Sequence, residues 1–561
     1  MGGSGVKLTE TGLPNMFLGW MMGLLLPYGV VVVSRGMDCL YILQIERYKP
    51  DRFRLWLADH RQALVPGREV VLQLVTVTLA GALAVSGIGW LGSLGVWILT
   101  GHLLLRQHRS LQVSQRLQWT ARAVRVGAMA FGISIPVTAA VLLLAGNIFA
   151  APVAQLTVGG IAALALLGLL TPGIVIVAAY AIVPWERAVA QKFLAEASGR
   201  MRRYRGRVLG ITGSYGKTST KYIVGDLLST SYRVLKTPAG VNTTMGITRV
   251  IREELKDEHE YFVVEMSAYG PGEIREVCDI VHPDLGILTS VGVQHLERFG
   301  TPERIAEAKY ELISALPAGA AAVINADDPV CCELAQRARG EGKRVLLYGM
   351  GKAREGLAVW GTDIEVGPRG TRFRALLADG QAETFETKLL GRWNLSNILA
   401  GIAAAAECGV PFLSMKPAVA ALAPAPRRLE IHEEGGVIRI LDVANANPRG
   451  AEMALEVLSQ FTGGSRILIT PGMVELGSIE AEENRRFGEQ AAAVCDYVVL
   501  VGPEQTQPIR QGLAARGFAA ERILTARWAD EVADLLGGIV KPGDILLYEN
   551  RLPDTYLEVA S

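Results

Sequence analysis

Long uncharged runs crowd the first 185 residues of this 561-residue chain and are absent from the rest. A helix that crosses a bilayer needs about 20 apolar residues. Asn15 to Val33 supplies one such length. Val70 to Leu105 suits two, broken near Ser86-Gly-Ile-Gly89. Val126 to Phe149 makes a fourth and Leu156 to Val183 a fifth, with Pro172-Gly173 inside it. Buried helices of soluble proteins are the alternative, but those rarely run so far without charge. The expectation is a helical membrane domain of five spans over residues 1–185.

Charge in the connecting segments sets the orientation, because Lys and Arg accumulate on the cytoplasmic side. Seven basic residues lie from Arg35 to Arg68 and five from Arg106 to Arg125. More follow at Arg187, Lys192 and Arg200-Met-Arg-Arg-Tyr-Arg-Gly-Arg207. The alternate connections, near Gly89 and from Asn147 to Gln155, carry none. Five spans with the N-terminus outside satisfy every connection. This describes a multi-pass protein of the cytoplasmic membrane whose remaining residues face the cytosol. The basic connections have two readings: topology with attraction to anionic lipid headgroups, or capture of a lipid diphosphate by residues such as Arg52, Arg54 or Arg116. No basic–apolar–small signal-peptide pattern opens the chain. With 56 Lys and Arg against 55 Asp and Glu, no charge excess suggests nucleic acid as a partner. Six cysteines show no C-x-x-C pair and no zinc spacing, which fits reduced thiols in a cytosol-facing protein.

After a basic linker at 186–205 the pattern changes. Short apolar runs alternate with helical periodicity, the mark of a parallel sheet with crossover helices. Expected strands are Arg207–Thr212, Tyr261–Met266, Leu285–Thr289, Ala321–Asn325 and Arg344–Tyr348. Residues 357–389 alternate around Gly367-Pro-Arg-Gly370 and read as an antiparallel insert. Pro424-Ala-Pro-Arg-Arg-Leu-Glu430 reads as a hinge. Beyond it Ile438–Val443, Arg466–Thr470, Tyr497–Val501 and Asp544–Tyr548 look like strands of a second, Rossmann-like layer. The chain therefore reads as an α-helical membrane domain, an α/β domain over 206–425 and a second α/β domain over 426–561.

The first α/β domain opens on Gly210-Ile-Thr-Gly-Ser-Tyr-Gly-Lys-Thr-Ser-Thr220, a glycine-rich turn directly after a strand. Such a turn points backbone N–H groups into one concavity and attracts a phosphate. A lysine then reaches the outer phosphates and the next hydroxyl can ligate Mg²⁺. The full spacing of that motif wants glycine at 211, where this chain has Ile, so an ordinary tight turn is the competing reading. What favours phosphate is the company downstream: Glu265, His295, Lys309, Asn394 and Asp442.

Together these segments resemble the Mur ligase family, most closely its members that add D-alanyl-D-alanine to a muramyl tripeptide. Ile211 to Lys221 is similar to the family's ATP loop, which implies nucleotide contacts from Gly213, Ser214, Gly216, Lys217, Thr218 and Ser219. Thr237 to Gly246, with Asn242, resembles the next motif, with Gly240 and Thr243 where asparagines are usual. Val264 to Ile274 resembles the segment whose glutamate, here Glu265, binds Mg²⁺. Ser290 to Gly300 resembles the one supplying a metal-binding histidine, here His295. Ile305 to Glu311 is similar to the segment with a carbamoylated lysine, here Lys309. Asn325-Ala-Asp-Asp328 and Gly391 to Ile398, with Asn394 and Asn397, resemble the adenine-side motifs, with Trp393 replacing a histidine. Arg428 matches the interdomain arginine, next to Arg427 in place of a glycine. Asp442-Val-Ala-Asn-Ala-Asn-Pro448 and Gly472 to Gly477 resemble two further motifs, read as positioning nucleotide or acceptor. Near the end, Tyr548 and Glu549 stand where Lys-Gly-Ser is common.

The resemblance implies an ATP-dependent, ADP-forming ligase joining a carboxylate to an amine through an acyl phosphate. Bringing a carboxylate to a triphosphate sets like charges together, which Mg²⁺ and Lys217 would neutralise. Thr218 and Glu265 are oxygen donors of the kind Mg²⁺ prefers, while His295 and a carbamoylated Lys309 enter the metal set through the resemblance alone. Catalysis would rest on Lys217, Glu265, His295 and Lys309. The amine would come from an amino acid or peptide. With a membrane domain where soluble relatives bind the UDP end of their substrate, the carboxylate donor would be lipid-linked or a growing polymer. Cell-wall precursor modification leads and polyglutamate-type polymer synthesis is second. An ATP-driven transporter and a nucleotide-binding assembly protein without turnover are readings of other classes. Against a transporter, no second nucleotide-domain signature is found.

Overall fold

The computed structural model describes residues 13–60, 65, 67–85, 90–107, 117–148, 152–351, 356–444 and 446–551. Arg61, Arg109, Arg116 and the Ser86–Gly89 break lie outside these. The chain divides into two compact units, one built on residues up to Ala188 and the other on Val189–Leu552.

The first unit is helical throughout its described elements. The described residues of all five expected lengths lie in helices: Leu13–Ile45, Gly67–Val85, Trp90–Gln107, Ala121–Ile148 and Pro152–Met201. Among the described residues, three stretches are long and apolar enough to cross a membrane: Tyr28–Ile45, Ala121–Leu144 and Ala162–Met201. The first helix continues past Val33, so Arg35, expected in a connecting segment, lies inside it. Arg35 is buried, and its charge is met by Glu69 at 2.7 Å. Unpaired, a charge in that setting costs several kcal/mol. The stretch 186–205 expected as a linker is helical as far as Met201.

The second unit contains two sheets, both expected in kind. Strands β1 Arg207–Thr212, β2 Val234–Lys236, β3 Tyr261–Glu265, β4 Leu285–Leu288, β5 Ala321–Asn325, β6 Arg344–Met350, β7 Leu357–Gly367, β8 Gly370–Leu377 and β9 Ala382–Thr387 form one sheet. Its order is β2-β3-β1-β4-β5-β6-β7-β8-β9, parallel as far as β7 and antiparallel over the last two pairings. β1 is flanked by β3 and β4, so the loop that leaves it emerges amid the carboxyl ends of parallel strands. Ligands of open α/β sheets sit there.

Alternation along β1 explains why helices cover both faces. Leu209 and Ile211 enter one apolar core with Ile223, Leu227, Leu395 and Ile398, while Val208 enters another with Val250, Phe262 and Ile313. Gly210 lies between them in β1. A Cβ there would stand 2.5 Å from Leu312, so glycine lets helix Pro302–Ser314 press on the strand.

The other sheet comprises β10 Glu430–Glu434, β11 Val437–Asp442, β12 Arg466–Thr470, β13 Tyr497–Val501, β14 Ile523–Ala526 and β15 Ile545–Glu549. Its order is β10-β11-β15-β12-β13-β14, with only β10 antiparallel. Asp442 and Glu549 close β11 and β15 as register partners.

Candidate active site

From Thr212 the chain turns through Gly213 to Gly216 and enters helix Lys217–Leu228. Gly216 has φ 78°, and a Cβ on it would stand 2.4 Å from Asn397 Oδ1, so both conformation and space demand glycine. Lys217 curls back and donates to the carbonyls of Gly213 (2.6 Å) and Ser214 (3.0 Å). Burial lowers its pKa to about 8, with Glu265 opposing that fall and Arg428 adding to it. Ser219 is half-buried on the same turn.

Glu265 ends β3 and is the hub. Its Oε1 accepts from Thr218 Oγ1 (3.1 Å) and Asn242 Nδ2 (2.9 Å), and its Oε2 from Lys221 Nζ (2.9 Å). Burial works to raise its pKa, but Lys221 and Asn242, with Lys217, hold it below the ordinary carboxylate value. A buried carboxylate is thereby kept charged beside the loop.

His295 stands at the start of the short helix Leu296–Phe299 with φ 59°. Its Nδ1 meets the Glu475 carboxylate, which also takes the Arg298 guanidinium. Burial holds the imidazole pKa down, Glu475 opposes, and Lys217 and Lys309 push the same way as burial. Lys217, His295 and Lys309 therefore feel one another's charge. Lys309 is buried in helix Pro302–Ser314; its ammonium lies 5.8 Å from the Phe299 ring, and among the described residues it makes no hydrogen bond or ion pair. Burial, then the Lys217 charge, pulls its pKa well below that of a free lysine.

Beside the loop is a cleft of about 580 Å³, lined from both sheets by residues including Tyr215, Asn325, Trp393, Arg449, Met473 and Phe487. Asn325 is anchored through Nδ2 to the Thr289 carbonyl (2.9 Å), and Asn397 accepts from Thr220 Oγ1 (3.2 Å). Asn397 Nδ2 is buried and has no partner among the described residues, which leaves a donor for a bound group. Asn394 instead gives its amide to the Leu390 carbonyl at the start of its own helix. Arg428 Nη1 lies 4.0 Å from Asp442 Oδ1. Asn445 lies outside the described residues.

Residues 211–405 match the Mur ligase middle domain and residues 427–548 the Mur ligase, glutamate ligase domain. Over 356 residues the chain is 30% identical to the UDP-N-acetylmuramoyl-tripeptide–D-alanyl-D-alanine ligase of Synechocystis sp., covering 63% of this chain and 73% of that one. The chain belongs to the Mur ligase family. The Bacillus subtilis enzyme of the same name is 29% identical over 61% of this chain and 72% of its own length. Among solved structures, the MurF ligase from Thermotoga maritima in complex with ADP is similar at 29% identity and TM-score 0.57, over 66% of this chain and 82% of that one. This Mur ligase is an ATP-dependent, ADP-forming enzyme that makes C–N bonds.

Mur ligases use Mg²⁺, and the residues of this ligase fit it. Thr218 and Glu265 present hard oxygen donors already 3.1 Å apart, and Glu265 is held ionised. Three residues that contact the predicted site residues were given no role from sequence: Lys221, Arg298 and Glu475. Lys221 had a signal, since it follows Lys217 by four residues on the helix face that buries Val224 and Leu228. Glu475 lies inside the Gly472–Gly477 segment, but its contact with His295 could not be read because that partner is 180 residues away.

Proposed function

We propose that this Mur ligase acts at the cytoplasmic membrane on a cell-wall precursor, joining an amino-acid or peptide amine to a lipid-linked carboxylate. The observation that carries the chemical half is the set of buried Lys217, Lys221 and Glu265 with half-buried Thr218 around one loop. The membrane half rests on apolar side chains left uncovered among the described residues. Of the 24 residues of Ala121–Leu144 only Ala123 and Val126 are buried, and Phe131, Ile135, Leu143 and Leu144 are exposed. Soluble surfaces rarely carry such a patch. Five spans with an outward N-terminus are part of the same reading.

In the proposed reaction a carboxylate oxygen attacks the γ-phosphorus of ATP and ADP leaves. The amine then attacks the acyl carbon, phosphate departs and the amine releases a proton. Lys217, released from the Gly213 and Ser214 carbonyls, meets the transferring phosphoryl group. Mg²⁺, when bound, would neutralise phosphate charge, held by Thr218, Glu265 and His295. Lys309 joins that set as a carbamate: its amine, whose pKa burial and the Lys217 charge lower against the opposing pull of Glu311 and Glu273, adds CO₂ to give an N-carboxylate and a proton, an anion suited to a cation. Asn325, Asn394 and Asn397 would face the base side of ATP, and Arg428 and Asp442 its phosphates, ribose or the acceptor. Gly213, Ser214, Gly216 and Ser219 complete the cradle.

Purified protein with ATP and Mg²⁺ should release phosphate only when donor and amine are both present, and Lys217→Ala should lower that rate at least about 100-fold. Phosphate release without an acceptor would instead favour ATP-driven transport. If a soluble poly-amino acid replaced the lipid-linked donor as substrate, the polymer-synthase reading would take over.

A further inference from the structure

Glu475 occupies a left-handed backbone conformation, φ 65°, on the loop after β12, and it is buried. A non-glycine residue in that region persists only where its surroundings hold it. Besides its neighbour Glu480, the contacts that hold it come from the other sheet's domain. Its carbonyl accepts the Glu297 N–H at 3.2 Å, and its carboxylate meets both His295 Nδ1 and Arg298. Nearby Gly477 comes so close to Glu297 that a Cβ on it would stand 3.3 Å from the Glu297 Cα. The Tyr269 ring packs 4.6 Å from the His295 ring and 4.8 Å from the Arg298 guanidinium, closing the other side.

An ionised carboxylate only accepts hydrogen bonds. Held by Arg298, the Glu475 carboxylate sits against Nδ1 of His295, and in a neutral ring that contact selects the form with the proton on Nδ1 and the lone pair on Nε2. That is the tautomer a metal-binding histidine needs, and a carboxylate on the far nitrogen is how such rings are usually aimed.

We propose that Glu475 is a positioning residue that orients His295 for the metal ion and so makes assembly of the metal site depend on docking of the C-terminal domain. This deepens, and rests on, the reading of His295 as a metal ligand. One partner sits on each sheet's domain, so the ring is fixed only while the two are docked. By linkage, metal binding then favours the docked arrangement to the same extent.

The test uses the full-length protein with saturating ADP and Mn²⁺ as the probe, its affinity read by electron paramagnetic resonance. Glu475→Ala should weaken Mn²⁺ binding roughly 10- to 100-fold while ADP binding without metal and the melting temperature change little. Glu475→Gln keeps an acceptor oxygen and should restore most of the affinity. Arg298→Ala leaves the Nδ1 contact and should resemble the parent. Equal Mn²⁺ affinity in Glu475→Ala and a Mn²⁺-binding parent would overturn the positioning role alone. Equal losses in Arg298→Ala and Glu475→Ala would also overturn it, since Glu475 would then be domain glue. A parent that binds no Mn²⁺ would remove the metal-site reading and this inference together.

Discussion

Asp442 and Glu549 show how one side chain can be retained at a cost to the fold. Burial pushes the Asp442 carboxyl up to about 6, with Arg428 pulling the other way. Burial, then the Asp442 charge, lifts Glu549 well above the ordinary carboxylate range. Among the described residues, Asp442 Oδ1 and Glu549 Oε2 both lack hydrogen-bond partners. A carboxyl whose folded pKa lies above its unfolded value of 3.8 adds stability only while protonated, and that contribution is lost as pH rises through about 6. Asp442→Asn cannot ionise. It should therefore gain progressively on the parent as pH rises from about 4 to about 7. Urea unfolding at several pH values measures this, and a constant difference across that range would contradict it. Ligase activity should fall in the same variant, the pattern of a strained functional residue. At Lys309 the expected outcome is a parent protein whose intact mass rises by one CO₂ under bicarbonate, with the increment lost in Lys309→Ala along with most activity. A parent mass indifferent to bicarbonate would remove the carbamate.

Elements here are fixed by close approach as much as by hydropathy. Helices Glu480–Val494 and Gln507–Ala515 meet through two glycines: a Cβ on Gly488 would lie 2.2 Å from the Ile509 carbonyl, and one on Gly512 1.9 Å from the Arg485 carbonyl. Either backbone must retreat for an alanine. Gly512→Ala should lower stability by about 3 kcal/mol, read from the denaturation midpoint, whereas an unchanged midpoint would mean the helices separate freely. β1, β5, β12 and β13 were legible to the residue because each is a short apolar run with clean borders. β10, Glu430–Glu434, was not: three of its five residues are exposed charged or polar side chains on a sheet edge, a sequence that carries no strand period. β2 and β14 have three and four residues, too few for any period. Of the site, the loop could be read from local spacing and Glu265 from the resemblance of its segment. The Lys221 ion pair and the Glu475 contact depend on how distant segments fold together, which local pattern does not encode.

At the scale of the whole chain, two compact units carry two kinds of surface. Val189–Leu552 buries its apolar residues on both faces of the first sheet and around the second. The helices before it leave Val71, Leu74, Leu79, Ile98 and Phe131 exposed. Val189–Leu552 expressed alone should stay in the supernatant and bind ADP, while the full chain should pellet with membranes and require detergent for release. A full chain that stays soluble after carbonate washing would remove the membrane reading and leave the ligase intact.

The account stands most directly on the acyl phosphate. When the donor carboxylate is labelled with oxygen-18, the first step makes one labelled oxygen the bridge to phosphorus, and breakdown by the amine leaves it on the phosphate. Mass spectrometry of the released phosphate should therefore find one labelled oxygen per turnover, and none with Lys217→Ala. Turnover that releases only unlabelled phosphate would contradict the ligase mechanism at its root.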